Sequence, residues 1–85
     1  MGGVFLRLDK FLKVSRIIKR RTVANEYCDA GRVEANGKIV KASYDVKEGD
    51  TLTVRFGEQS MSVRVLTVTE YATKETASQM YEILK

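Results

Sequence analysis

The sequence predicts an α+β fold: two short helices, a β-hairpin, a small twisted antiparallel sheet and a short C-terminal helix. Three observations carry that prediction. Leu8, Phe11, Leu12, Ser15 and Ile18 recur at helical spacing. Asn36-Gly37 separates two short extended runs, and apolar residues alternate along 51–56 and 61–68. At 85 residues the chain has room for one modest core. A single domain over 1–85 is therefore expected, with a first unit over about 7–54 and strands plus a closing helix over about 51–85.

The first helix is expected to start near Arg7 and to bury its stripe, leaving Lys10, Lys13 and Arg20 elsewhere. Asp9 falls in its first turn, where a carboxylate favours the positive end of the helix dipole and can also orient Arg7 or a loop arginine. A basic run, Lys19-Arg20-Arg21, leads to a second short helix with Thr22 as its expected N-cap and Gly31 as a left-handed stop. Helix N-termini present unsatisfied N–H groups and partial positive charge. Cations placed there oppose the helix but suit an anion such as phosphate.

After Gly31 the pattern turns extended: Arg32-Val33-Glu34-Ala35, then Asn36-Gly37, then Lys38-Ile39-Val40. Asn-Gly is a strong hairpin signal because both central residues of a type I′ turn need positive φ. A turn at Lys47-Glu48-Gly49-Asp50 precedes a strand with Leu52, Val54 and Phe56 on one face, and Gly57-Glu58-Gln59 leads into the next strand. In the tail, Ala77, Met80, Tyr81 and Leu84 stand at i, i+3, i+4 and i+7, which predicts an amphipathic helix. Tyr71 and Tyr81 are expected to pack on the sheet; stacking on nucleic-acid bases is the alternative use of such rings.

Several function classes lose support. The chain has no histidine and one cysteine, so the nitrogen and sulfur ligands of a zinc site and the commonest general base are missing. Its carboxylates are scattered among bases rather than paired in an apolar setting. No Gly-rich phosphate loop is present, so no enzyme activity and no cofactor are expected. Cys28, among Ala24, Tyr27 and Ala30, reads as a small buried hydrophobe. Met1-Gly2-Gly3-Val4-Phe5 lacks the basic start and long apolar stretch of a signal peptide, and no apolar run approaches the ~20 residues of a membrane span. A cytoplasmic protein with no membrane partner is expected.

Charge supplies the positive indication. Residues 1–41 hold ten Lys/Arg against four acids, a net +6, whereas residues 42–85 carry −2. Neutralising a phosphate backbone releases condensed counterions, so a one-sided cationic surface favours nucleic acid.

Arg7-Leu8-Asp9-Lys10-Phe11-Leu12, the basic turn into Thr22, and Ala30-Gly31-Arg32-Val33 followed by Asn36-Gly37-Lys38 together strongly resemble the RNA-binding domain first named in ribosomal protein S4. The resemblance covers about residues 7–54 and implies a two-helix αL RNA-binding motif. With Val54-Arg55-Phe56-Gly57 and Met80-Tyr81-Glu82-Ile83-Leu84-Lys85, the chain is similar to the stand-alone bacterial members that serve ribosome-associated quality control. The resemblance implies binding to large ribosomal subunits obstructed by peptidyl-tRNA, with contacts to large-subunit rRNA and to the tRNA. It further implies support for alanine tailing of stalled chains by a separate NEMF-family factor. Carried onto this chain, the RNA contacts fall on Arg7, Lys10, Lys13, Arg16, Lys19, Arg20, Arg21 and Thr22, with Arg32, Asn36, Lys38 and Lys41 supporting. Arg7 and Arg21 are the expected bidentate phosphate grips, and for Asn36 the alternative is that it serves only the turn. A monomer is expected.

Two alternatives remain. A heat-shock relative that binds large-subunit rRNA shares the motif but usually carries a longer basic C-terminal extension. A helix-turn-helix DNA reader would need a shorter connection than Ser15 to Arg21 and a dimer-forming segment.

Overall fold

The computed structural model describes residues 5–84, so the expectation drawn from Met1 to Val4 lies outside the described residues. The chain begins with β1 (Leu6–Arg7), α1 (Leu8–Val14) and α2 (Arg21–Asp29), followed by β2 (Val33–Ala35) and β3 (Lys38–Ile39). After β4 (Asp45–Val46) come β5 (Thr51–Phe56), β6 (Gln59–Val65), α3 (Lys74–Ala77) and β7 (Tyr81–Leu84).

In α1, Leu8, Phe11 and Leu12 are fully buried, as the helical spacing requires. The helix is shorter than its apolar stripe. Arg16 adopts φ 65°, and its N–H donates to Lys13 O at 3.0 Å while Ile18 N–H donates to Leu12 O at 3.1 Å. This left-handed exit folds the chain back so that Ile18 is buried without being helical. At the other end, Leu8 N–H donates to Tyr44 O at 2.8 Å and Asp9 N–H to Ala42 O at 3.2 Å. Two donors orphaned by the start of the helix are thus satisfied by the 42–44 loop.

The expected N-cap of the second helix is corrected. Arg20, extended at φ −118°, is the cap residue and makes no side-chain cap bond, while Thr22 lies inside the first turn. Gly31 does stop the helix in the left-handed region, at φ 76°.

The strands form a five-stranded antiparallel sheet in the order β3-β2-β5-β6-β7, and β1 pairs separately with β4. Asn36 at φ 54° and Gly37 at φ 85° make the two-residue turn that pairs Ala35 with Lys38. Val33, Leu52, Val54, Val63 and Val65 point one face of the sheet into the core under α1, where Ala24 and Cys28 of α2 join them.

The tail departs from the expected helix. Only Lys74–Ala77 is helical, capped by a reciprocal box in which Thr73 Oγ1 accepts from Thr76 N–H at 3.2 Å. Met80 plugs the core, and the chain then runs as β7 alongside β6, from Val65↔Tyr81 to Ser62↔Leu84. Tyr81 packs against the core, but Tyr71 does not: 87% of it is exposed.

Candidate nucleic-acid interface

The interface is organised by a buried carboxylate. Asp9 is only 3% exposed in its side chain, yet it receives charge from two arginines, one in β1 and one in α2. Arg7 Nε lies 3.3 Å from Oδ1, and Arg21 Nε, from the start of α2, lies 3.3 Å from Oδ2. Asn25 Nδ2 donates to Oδ2 at 3.3 Å, and Lys10 N–H donates to Oδ1 at 2.8 Å. Burial by itself would raise this carboxyl, but the hydrogen bonds from Asn25, Arg21 and Arg7 outweigh it and hold Asp9 below its ordinary value. The carboxylate stays charged and fixes both guanidinium groups. Each arginine remains about half exposed, 50% for Arg7 and 47% for Arg21. Arg7 Nη2 also donates to Asp9 Oδ2 at 3.5 Å, so it is the exposed remainder of each side chain that can meet a phosphate oxygen.

A shallow depression of about 430 Å³ lies beside this pair and is lined by Asp9, Arg21, Thr22, Asn25 and Glu26. Arg20 and Thr22 are exposed at the same helix end, whose first turn contains no acid. Lys13 is exposed in the last turn of α1, and Arg16 and Lys19 along the connection between the helices. Lys10 is partly covered and lies 3.6 Å from Glu70.

The supporting residues sit differently. The Arg32 guanidinium lies 5.4 Å from the Tyr27 ring centre, and Tyr27 in turn packs on Phe56 with ring centres 5.7 Å apart. Lys38 and Lys41 are exposed on and after β3. Asn36 is committed to the protein: its amide donates to Asp50 Oδ1 at 3.1 Å and its carbonyl accepts from Thr51 N–H at 3.0 Å. Asp50 is itself buried and also accepts from the Tyr44 hydroxyl at 2.8 Å and Lys47 N–H at 3.2 Å. These bonds overcome the effect of burial and hold the Asp50 carboxyl below its ordinary value.

A family model described as S4 domain matches residues 6–52. The chain belongs to the S4 domain family. The chain is 58% identical over 80 residues to the RQC P-site tRNA stabilizing factor of Bacillus subtilis, covering 94% of this chain and 93% of that protein. It is 54% identical over 80 residues to the factor of the same name from Halalkalibacterium halodurans, covering 94% and 91%. It therefore belongs with this group of S4 domain proteins. A trimeric structure of heat shock protein 15 from Vibrio cholerae superposes with a TM-score of 0.87 at 28% identity, over 95% of this chain and 83% of that one.

Every cation singled out from the sequence, from Arg7 to Lys41, falls within the part matched to the S4 domain. Asn25 was not among those residues. Its position, four after Arg21 and so on the same helix face, was the signal available. Among the described residues no helix is long and apolar enough to cross a membrane.

Proposed function

We propose that this chain is an RNA-binding protein of ribosome-associated quality control that binds large ribosomal subunits obstructed by peptidyl-tRNA. In this reading it touches large-subunit rRNA and the tRNA and supports alanine tailing of the stalled chain by a NEMF-family factor. It acts in the cytoplasm as a monomer, by positioning RNA rather than transforming it, with no cofactor. The first unit and the later strands work as one domain.

The observation that carries the reading is the Asp9 anchor, which holds Arg7 of β1 and Arg21 of α2 with about half of each side chain open to solvent. Similarity to factors whose name specifies P-site tRNA supports the choice of RNA. Arg7, Lys10, Lys13, Arg16, Lys19, Arg20, Arg21 and Thr22 form the contact surface, giving shape recognition of a folded backbone. Arg32, Lys38 and Lys41 extend it. Asn36 contributes by holding the hairpin.

The test is crosslinking to RNA in cells with sequencing of the crosslinked sites, for the native chain and for Arg7→Ala and Arg21→Ala. Sites in both large-subunit rRNA and tRNA, lost in either variant, are expected. In vitro, each variant should lower the salt slope of binding by roughly one unit. Undiminished crosslinking by both variants would overturn the assignment of the surface. The superposition on heat shock protein 15 favours a second reading, subunit recycling through rRNA, for which crosslinks would lie in rRNA alone.

A further inference from the structure

A cleft of about 640 Å³ opens between the end of α1 with the connection that follows it and the segment leading from β6 to the start of α3. Lys13, Arg16 and Lys19 line it from the first side, and Glu70, Tyr71 and Lys74 from the second. Four cations thus face one acid, and that acid already has a partner in Lys10. The volume lies within the range of pockets that hold small organic groups.

Tyr71 is the most exposed large apolar side chain among the described residues. Its backbone makes two local hydrogen bonds. Thr69 Oγ1 donates to Tyr71 O at 3.1 Å and accepts from Tyr71 N–H at 3.4 Å. Val68, three residues before, is buried, and the capped turn at Thr73 follows two residues after. Val14 and Ala72, which also line the cleft, pack against the core and give it an apolar part. A ring held out in water among cations matches the composition of platforms on which unpaired bases stack.

We propose that this cleft takes an unpaired nucleotide of single-stranded RNA, its base stacked on Tyr71 and its flanking phosphates met by Lys13, Arg16, Lys19 and Lys74. The proposal rests on the RNA-binding reading above and adds a second point of contact, since Tyr71 and Lys74 lie outside the residues matched to the S4 domain. An aromatic face accepts any base and the cations accept any phosphate, so the contact tolerates sequence. It discriminates paired from unpaired RNA, because a base inside a duplex has no free face to offer. The helix pair would grip a folded backbone while the cleft reads an adjoining loop or end.

The experiment titrates the full chain with a short oligoadenylate, following binding by anisotropy and the Tyr71 ring protons by NMR. Native protein, Tyr71→Ala and Tyr71→Phe are compared. Stacking should move the Tyr71 ring resonances upfield, Tyr71→Ala should weaken binding by at least about fivefold, and Tyr71→Phe should bind like the native chain. Tyr71→Ala is made at an exposed position and should keep the fold. Native-like binding by Tyr71→Ala, a Tyr71 ring that does not shift, or no binding of oligoadenylate by the native chain would each overturn the cleft. The helix-pair reading is tested apart from this, by crosslinking of Arg7→Ala and Arg21→Ala in cells, and loss of those crosslinks leaves it standing whatever becomes of the cleft. Conversely, a Tyr71 effect on oligoadenylate binding together with undiminished crosslinking by Arg7→Ala and Arg21→Ala supports the cleft and overturns the helix-pair reading.

Discussion

Arg21, the first residue of α2, places its Nε 3.3 Å from Oδ2 of Asp9, a carboxylate buried in α1. This pair joins the two helices by a charged bond at the edge of the proposed RNA surface. Asp9→Asn should therefore loosen two arginines at once. Losing charge-assisted bonds to a buried carboxylate should cost about 1–3 kcal/mol, read as a lower midpoint in urea unfolding. A midpoint unchanged from the native chain would deny Asp9 its organising part.

Acid should act on the same groups. Asp9 and Asp50 both sit below the ordinary value of 3.8 in the folded chain. As pH falls, the unfolded chain takes up protons first, so the advantage of the folded state shrinks. Their contribution is complete above about pH 5 and is lost as pH drops through 3.8 and then through the lower folded values. Thermal midpoints measured against pH should fall steeply below about pH 4, and the fall should flatten in Asp9→Asn and in Asp50→Asn. An unchanged acid limb in both variants would place the acid sensitivity elsewhere.

Cys28 should behave as a core residue. It is buried, and burial followed by the nearby Asp9 and Asp29 carboxylates pushes its thiol up to about 12. Thiol reagents at neutral pH should label it only as fast as the chain opens, with full labelling in denaturant. Rapid labelling of the folded chain would contradict its placement.

The hairpin turn offers a backbone test. A Cβ at Gly37 meets nothing within 4 Å, but its φ of 85° strains any L side chain. Gly37→Ala should cost about 1 kcal/mol through conformation alone, measured by chemical denaturation. No loss would mean that the turn relaxes to another type.

Much of this was legible in the residues because the signals are local. Asn36-Gly37 specified its turn by φ alone, and Leu8, Phe11 and Leu12 specified a helix face by spacing. What escaped depends on distant partners. Ala77, Met80, Tyr81 and Leu84 match a helical repeat, yet the tail gains a strand partner in β6, and pairing over such separation leaves no periodic mark in four residues. Likewise β1 and β4 are two residues each and exist only through each other. The cations were visible as a cluster, whereas the coupling of Arg21 to Asp9 required the fold to bring α2 across α1. Tyr71 was misplaced because an aromatic beside a strand ordinarily packs on it, and the Thr69 bonds that hold its backbone are not a pattern of hydrophobicity.

The segment matched to the S4 domain ends at residue 52, inside β5. That strand pairs with β2 on one side, through Val33↔Val54 and Glu34↔Thr53, and with β6 along its full length on the other. Residues beyond the match therefore complete the very strand that closes the hairpin. Spliced into an unrelated protein at that boundary, the segment would expose an open sheet edge and invite mispairing with other chains. Its portability between proteins is set by the strands a host can lend it, not by the arginines it carries.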